Sequence, residues 1–226
     1  MSTAAYGRAF ALWRAEARRA WEAYTRHPFV EGLRDGTLPR DAFLRYLVQD
    51  YVFLIHFSRA WALAVVKSET LDEMKVAAGV VDGLVNHEMQ LHVSTCAEAG
   101  ISEAELEGAE EHPANLAYTR YVLEAGQAGD LADLLAALAP CVLGYGEIGA
   151  RLGAEAPGGP YADWIATYAG EEYQALCRET GKLIDSALAR RIGDDFAAAP
   201  RWPRLSGRFL AATRLEAGFW DLGLAA

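Results

Sequence analysis

Apolar residues recur along this chain at the spacing of helices, and no stretch alternates in the manner of a strand. Trp13, Ala17, Trp21 and Tyr24 fall four, four and three apart, which aligns them as one stripe on a first helix ending near His27-Pro28. A loop is expected through Gly32 and Asp35-Gly36, after which Pro39 suits the first turn of a second helix running to about Lys67. A third helix is expected from about Leu71 to Ala99, closed by Gly100. Ser102 and Glu105 have the spacing of a capping box and open a short helix, which His112-Pro113 ends. Another helix is expected over about Ala114 to Ala125, stopped by Gly126 and Gly129. Asp130 can cap a central helix that ends in the Pro157-Gly158-Gly159-Pro160 loop. Tyr161 to Ile192 reads as helical, with Gly170 as a point of interruption, and Pro203 precedes a last helix reaching about Leu222. The pattern predicts an all-α fold, a multi-helix bundle in one domain over residues 1–226.

Charge and cysteine usage narrow what such a bundle can do. The net charge is −10, and no basic patch interrupts it, which argues against a nucleic-acid partner. Three cysteines, Cys96, Cys141 and Cys177, are widely spaced with no Cys-x-x-Cys. That suits a reducing, cytoplasmic setting and neither a disulfide framework nor a zinc site. Charged residues interrupt the apolar N-terminal positions, so no signal peptide is expected. The segment Phe43 to Val66 is the most apolar by inspection, but it carries Arg45, Asp50, His56 and Arg59, so no membrane span is expected. A hydrophobic share of 52% is slightly high and leans toward burial by self-association.

The stretch Ala139 to Leu152 concentrates chemistry inside a helix that should be buried. Cys141 and Tyr145 are four apart and therefore share a face, about 40° apart around the axis. Pro140 removes one backbone hydrogen bond just ahead of the thiol. Gly144, Gly146 and Gly149 weaken a helix and suit places where another backbone or a ligand comes close. The same residues also serve ordinary helix packing, since free cysteines are often small buried hydrophobes.

Two carboxylates interrupt apolar stripes. Asp50 shares a face with Leu54, Phe57 and Trp61, with Phe53 beside it, and Glu216 lies among Phe209, Ala212, Phe219 and Trp220. A buried carboxylate is either paired, for example with an arginine such as Arg208 or Arg214, or reserved for a ligand. Tyr118, Tyr145, Tyr168 and Tyr173 fall on four helical segments, where most tyrosines only bond backbone. Metal ligation is not expected. His87 and His92 are five apart, about 140° around a helix, and Glu-x-x-His pairs are missing. All five histidines are expected to be structural or exposed. Thiol, carboxylates and aromatics together suit a flat, basic nitrogen heterocycle and covalent addition with proton transfer.

An ordered set of motifs resembles the thiaminase II (TenA) family, which has the heme-oxygenase-like helical fold. The motifs are His27-Pro28-Phe29-Val30, Gly36-Thr37-Leu38-Pro39, Phe43 to Asp50, Leu138 to Gly149, Trp164 to Tyr168, and Glu216 through Phe219-Trp220. The resemblance implies an aminopyrimidine aminohydrolase that uses no metal or organic cofactor. Such an enzyme releases the hydroxymethyl pyrimidine from 4-amino-5-aminomethyl-2-methylpyrimidine, and more slowly from thiamin, in thiamin salvage. It implies Cys141 as nucleophile, Glu216 as the proton-transfer carboxylate, and Asp50 as the group holding the ring nitrogen and 4-amino group. It implies Tyr118, Tyr145 and Tyr168 as pocket tyrosines. Where several members carry a tyrosine three residues after the aspartate, Phe53 keeps the stacking face and loses the hydroxyl. A homo-oligomer, tetramer or dimer, is implied as well. The alternatives are a non-catalytic thiamin or pyrimidine binder and an oxygenase of the same fold.

Overall fold

In the computed structural model, which describes residues 6–156 and 158–225, every regular element is a helix. The chain runs α1 (Arg8–Glu16), α2 (Arg18–Thr25), α3 (Pro28–Asp35), α4 (Arg40–Lys67), α5 (Leu71–Gly83), a π-helical turn (Leu84–Glu88) and α6 (Met89–Glu98). It continues through α7 (Glu103–Glu107), α8 (Pro113–Ala128), α9 (Leu131–Glu155), α10 (Ala162–Ala169), α11 (Glu171–Ile192) and α12 (Trp202–Leu224). Of the loop expected after α9, Pro157 lies outside the described residues.

The axis of the fold is α9, with α8, α10, α11 and α12 packed on it. Of the described helices it alone is long and apolar enough to cross a membrane, rather than Phe43 to Val66, yet 94% of its most apolar window is buried by protein. Such a helix is a core helix, because every face has a protein neighbour. Asp130 and Asp133 form a capping box at its start. Asp133 is buried there and takes three guanidinium groups from α12 and the residue before it: Arg201, Arg204 at 2.9 Å and Arg208 at 2.9 Å. A buried carboxylate needs such partners, and these three tie one end of α12 to the start of α9.

Pro140 does not break α9, and neighbouring side chains bond carbonyls from Pro140 onward. Tyr24 donates to the Pro140 carbonyl at 3.3 Å, Tyr173 to that of Val142 at 3.3 Å, and Gln174 to that of Gly146 at 2.9 Å. The glycines permit those approaches. A Cβ on Gly144 would stand 2.4 Å from the Tyr24 ring, and one on Gly149 would stand 2.4 Å from the backbone carbon of Tyr168. Since the obstacle at Gly149 is backbone, Gly149→Ala has to push α10 outward. We expect it to destabilise the fold by roughly 1–3 kcal/mol, read as a lower urea midpoint at unchanged slope. An unchanged midpoint would mean that α10 is free to slide.

Three elements differ from the sequence pattern. The first helix is interrupted at Ala17 (φ −88°, ψ 13°), although Trp13, Ala17, Trp21 and Tyr24 are all buried as one stripe. Pro28–Asp35, expected as loop, is helical: His27 caps it by accepting from the Phe29 N–H, with Pro28 at its first position. His112 and Pro113 repeat this arrangement at the start of α8, so both His-Pro pairs open helices, whereas α7, expected to end at His112-Pro113, already stops at Glu107. Between Leu71 and Ala99 the helix is continuous but contains the π turn at Leu84–Glu88. This arm is thinly packed: only Glu73, Ala77 and Val80 of α5, and His92 and Cys96 of α6, are buried.

Candidate active site

A small cavity lies between α4, α5, the π turn, α9 and α11. Apolar walls come from Phe53, Leu54 and Phe57 on α4, and polar groups from Asp50, Glu88, Cys141, Tyr145 and Tyr173. Phe53 is fixed between Phe57 and Phe219, with ring centroids at 5.1 and 5.4 Å. It therefore offers a rigid aromatic surface with no hydroxyl.

Asp50 is 3% exposed and pairs with a histidine, not an arginine. The His92 ring contacts Asp50 Oδ2 through Nε2 at 2.6 Å and the Glu88 carbonyl through Nδ1 at 2.9 Å. A carbonyl only accepts, so Nδ1 carries hydrogen; with a carboxylate at Nε2, His92 donates from both nitrogens as an imidazolium. Burial opposes that charge, but the Asp50 hydrogen bond and charge outweigh it and hold the His92 pKa above its usual value. Tyr46 also donates to Asp50 Oδ2, at 2.9 Å, and receives the Trp164 indole N–H at 3.4 Å. Both protein donors fall on one oxygen, which leaves Oδ1 for a ligand.

Opposite this pair, Cys141 is half-buried on α9 and Glu216 fully buried on α12. Tyr118 donates to Glu216 Oε1 at 2.7 Å. Burial pushes the Glu216 carboxyl up to about 8, with Asp50 adding to it, while hydrogen bonds from Tyr118 and Cys141 pull the other way. Burial likewise drives the Cys141 thiol well above its usual range, and the carboxylates Glu216, Glu88 and Asp50 reinforce the effect. The sulfur is therefore held protonated, with the Glu216 carboxyl beside it.

Glu88 closes the ring of polar groups. Tyr168 donates to its Oε1 at 2.8 Å, and Tyr168 packs edge-on to Tyr145 at 5.0 Å. Burial raises the Glu88 pKa, and Asp50 adds to the rise against the pull of His92.

The structure thus gathers Asp50, Phe53, Cys141 and Tyr145 on the cavity wall, with Glu216 against the thiol, Tyr118 on Glu216 and Tyr168 on Glu88. Arg208, one of the partners considered for Glu216, instead binds Asp133 and Glu124. Of the five histidines set aside, His92 belongs to the site, and Glu88 and Tyr46 were also overlooked. The signal was present: Asp50 in an apolar stripe requires a partner, and Glu88 and His92 stand four apart on one helix face. His87 is exposed, so the two histidines of this segment do diverge.

Among known proteins, residues 14–226 match the TENA/THI-4/PQQC family. The aminopyrimidine aminohydrolase of Halalkalibacterium halodurans is 36% identical over 211 residues, covering 92% of this chain and 91% of its own length. The crystal structure of a protein described as a TenA family transcription regulator, from Silicibacter sp. TM1040, is 63% identical over all of both chains, with a TM-score of 0.97. A domain of unknown function with a heme oxygenase-like fold, from Shewanella denitrificans OS217, shares 13% identity over 95% of this chain and 91% of its own, with a TM-score of 0.72. That last likeness is one of fold, and it makes the all-helical architecture here heme oxygenase-like. Matched along nearly all its length in sequence and in backbone, the chain belongs to the TENA/THI-4/PQQC family.

Proposed function

We propose that this chain is a hydrolase of an exocyclic C–N bond, converting 4-amino-5-aminomethyl-2-methylpyrimidine and water to 4-amino-5-hydroxymethyl-2-methylpyrimidine and ammonia. The observation that carries the reading is the Cys141 thiol set against Glu216 across a small aromatic cavity from the Asp50–His92 pair. The similarity to the Halalkalibacterium aminohydrolase supports it.

In this reading the free oxygen of Asp50 binds the aminopyrimidine edge, and Phe53 and Tyr145 pack against the ring. Glu216, as carboxylate, takes the Cys141 proton; the sulfur adds to a ring carbon and Glu216 returns the proton to a ring nitrogen. Electrons then flow to the methylene carbon and expel the amine as ammonia. Water adds to that carbon and gives a proton to Glu216. The ring nitrogen then gives up its proton as the C–S bond breaks, and that proton returns to the departing sulfur, which restores the aromatic ring and the thiol. The side chains supply every step, so no metal or organic cofactor is invoked. The name of the Silicibacter neighbour points to gene regulation, but a net charge of −10 gives no basis for DNA binding here.

Incubation with the aminomethyl pyrimidine, with thiamin in parallel, tests the proposal by chromatography of the pyrimidine product and assay of ammonia. Faster release from the aminomethyl compound is expected. No product from either substrate, with folded protein, would leave a pyrimidine binder.

A further inference from the structure

We propose that Glu88 is the specificity-determining residue for a cationic leaving group: its carboxylate binds the primary ammonium on the substrate methylene. The inference rests on the pyrimidine reading of the cavity given above.

The first support is position. Glu88 lines the inner cavity together with Cys141 and Asp50, and it also lines a wider outer chamber. Leu84, Tyr173 and Leu176 border both spaces, so the two adjoin, with the more open outer chamber as the mouth. A heterocycle held by Asp50 with its leaving group turned toward this mouth places that group at Glu88. Glu88 stands at that passage.

The second support is charge. Two carboxyl groups, Asp50 and Glu88, line one small space, with Glu216 beside Cys141 on its wall, and the basic side chain that meets them, His92, is already committed to Asp50. Buried carboxylates require cationic or hydrogen-bonding partners. Tyr168 serves one oxygen of Glu88, and the other accepts no hydrogen bond from the described residues. Glu88 thus keeps one oxygen open to a further partner, and an ammonium group is such a partner. The mouth continues the same sign, since Asp82 and Glu172 are exposed on it, against His87 as its one basic side chain.

The third support is backbone. Glu88 ends the π turn, a type of irregularity found mostly at functional sites. Its carbonyl holds His92 and its carboxylate holds Tyr168, so one residue fixes the Asp50 partner and the mouth together.

Calorimetric titration tests this in a Cys141→Ser background, with and without Glu88→Gln. The probes are the aminomethyl pyrimidine, a cation at pH 7, and the hydroxymethyl pyrimidine, neutral at the same position. Glu88→Gln should weaken the ammonium ligand by about 10- to 100-fold, the value of a hydrogen bond to a charged group, and leave the alcohol within about twofold. Glu88→Asp, which keeps the charge, should retain most of the preference and serves if the glutamine variant does not fold. Equal weakening of both ligands would reduce Glu88 to a structural role and overturn the inference, as would no weakening of either. Failure of both ligands to bind the protein with Glu88 intact would instead sink the pyrimidine reading itself, and this inference with it. Turnover in the Cys141→Ser background at more than about a tenth of the wild-type rate would refute the role of the thiol.

Discussion

Cys141→Ser is expected to lower kcat/KM for aminopyrimidine hydrolysis by roughly 10³- to 10⁵-fold, as loss of a nucleophile does elsewhere. It should also leave the melting temperature within about 2 °C. The swap exchanges one atom on a half-buried position of an uninterrupted helix, so the packing of α9 has little reason to change. The chemistry changes far more. A serine hydroxyl is a much weaker acid than a thiol, so a carboxylate such as Glu216 cannot draw off its proton as readily, and oxygen adds less readily to an electron-poor ring. The competing mechanism has Glu216 activate water for direct displacement, with the thiol a bystander. Steady-state rates separate the two: a serine variant keeping more than about a tenth of the activity would favour direct displacement over the covalent route.

Glu216→Gln should cost about 10²- to 10⁴-fold in kcat/KM, the range of general acid–base catalysis, and at the same time make the protein more stable at alkaline pH. The sign follows from the carboxyl's two environments. Its pKa is about 8 in the fold against 4.5 as the ordinary value, so between those pH values the folded state holds a proton that the unfolded chain has released. Stability therefore falls as pH rises from about 4.5 to about 8 and levels off above. Glutamine keeps an acceptor for the Tyr118 hydroxyl and removes the buried charge. Relative to wild type the variant should match near pH 4.5 and gain up to a few kcal/mol by pH 9, measured by urea unfolding at both ends. Wild-type kcat/KM should rise with pH toward a limb near 8, as Glu216 becomes a base, and the variant's residual rate should lack that limb. A stability difference independent of pH would mean that Glu216 titrates normally and that burial does not hold its proton.

Much of this was legible in the chain itself, at places where one residue type has one physical use. Pro39 ahead of α4, the Ser102–Glu105 box and Asp130 at the start of α9 mark helix starts, and the structure has helices there. Gly144 and Gly149 suggested close approach, and the Tyr24 ring and Tyr168 backbone occupy the vacated space. Other features depend on partners distant in sequence. Gly32 reads as a loop residue, but it lies in α3, where a Cβ would come 3.1 Å from the Leu38 Cβ. The interruption at Ala17 carries no residue signal, since alanine is the best helix former. His92 lies 42 residues from Asp50 on another helix, and a histidine becomes informative only when its neighbours are known.

The two walls of the cavity are built to different standards of rigidity. Cys141 and Glu216 ride on α9 and α12, helices buried along most of their length and bound to each other through Asp133 and its three arginines. Glu88 and His92 ride on an arm that buries only five side chains outside the π turn. Local opening is easiest where few apolar contacts are lost. The molecule is in effect a vice with one fixed jaw and one sprung jaw: the sulfur-to-carboxyl spacing is set before any ligand arrives, and accommodation of different leaving groups falls to the other side.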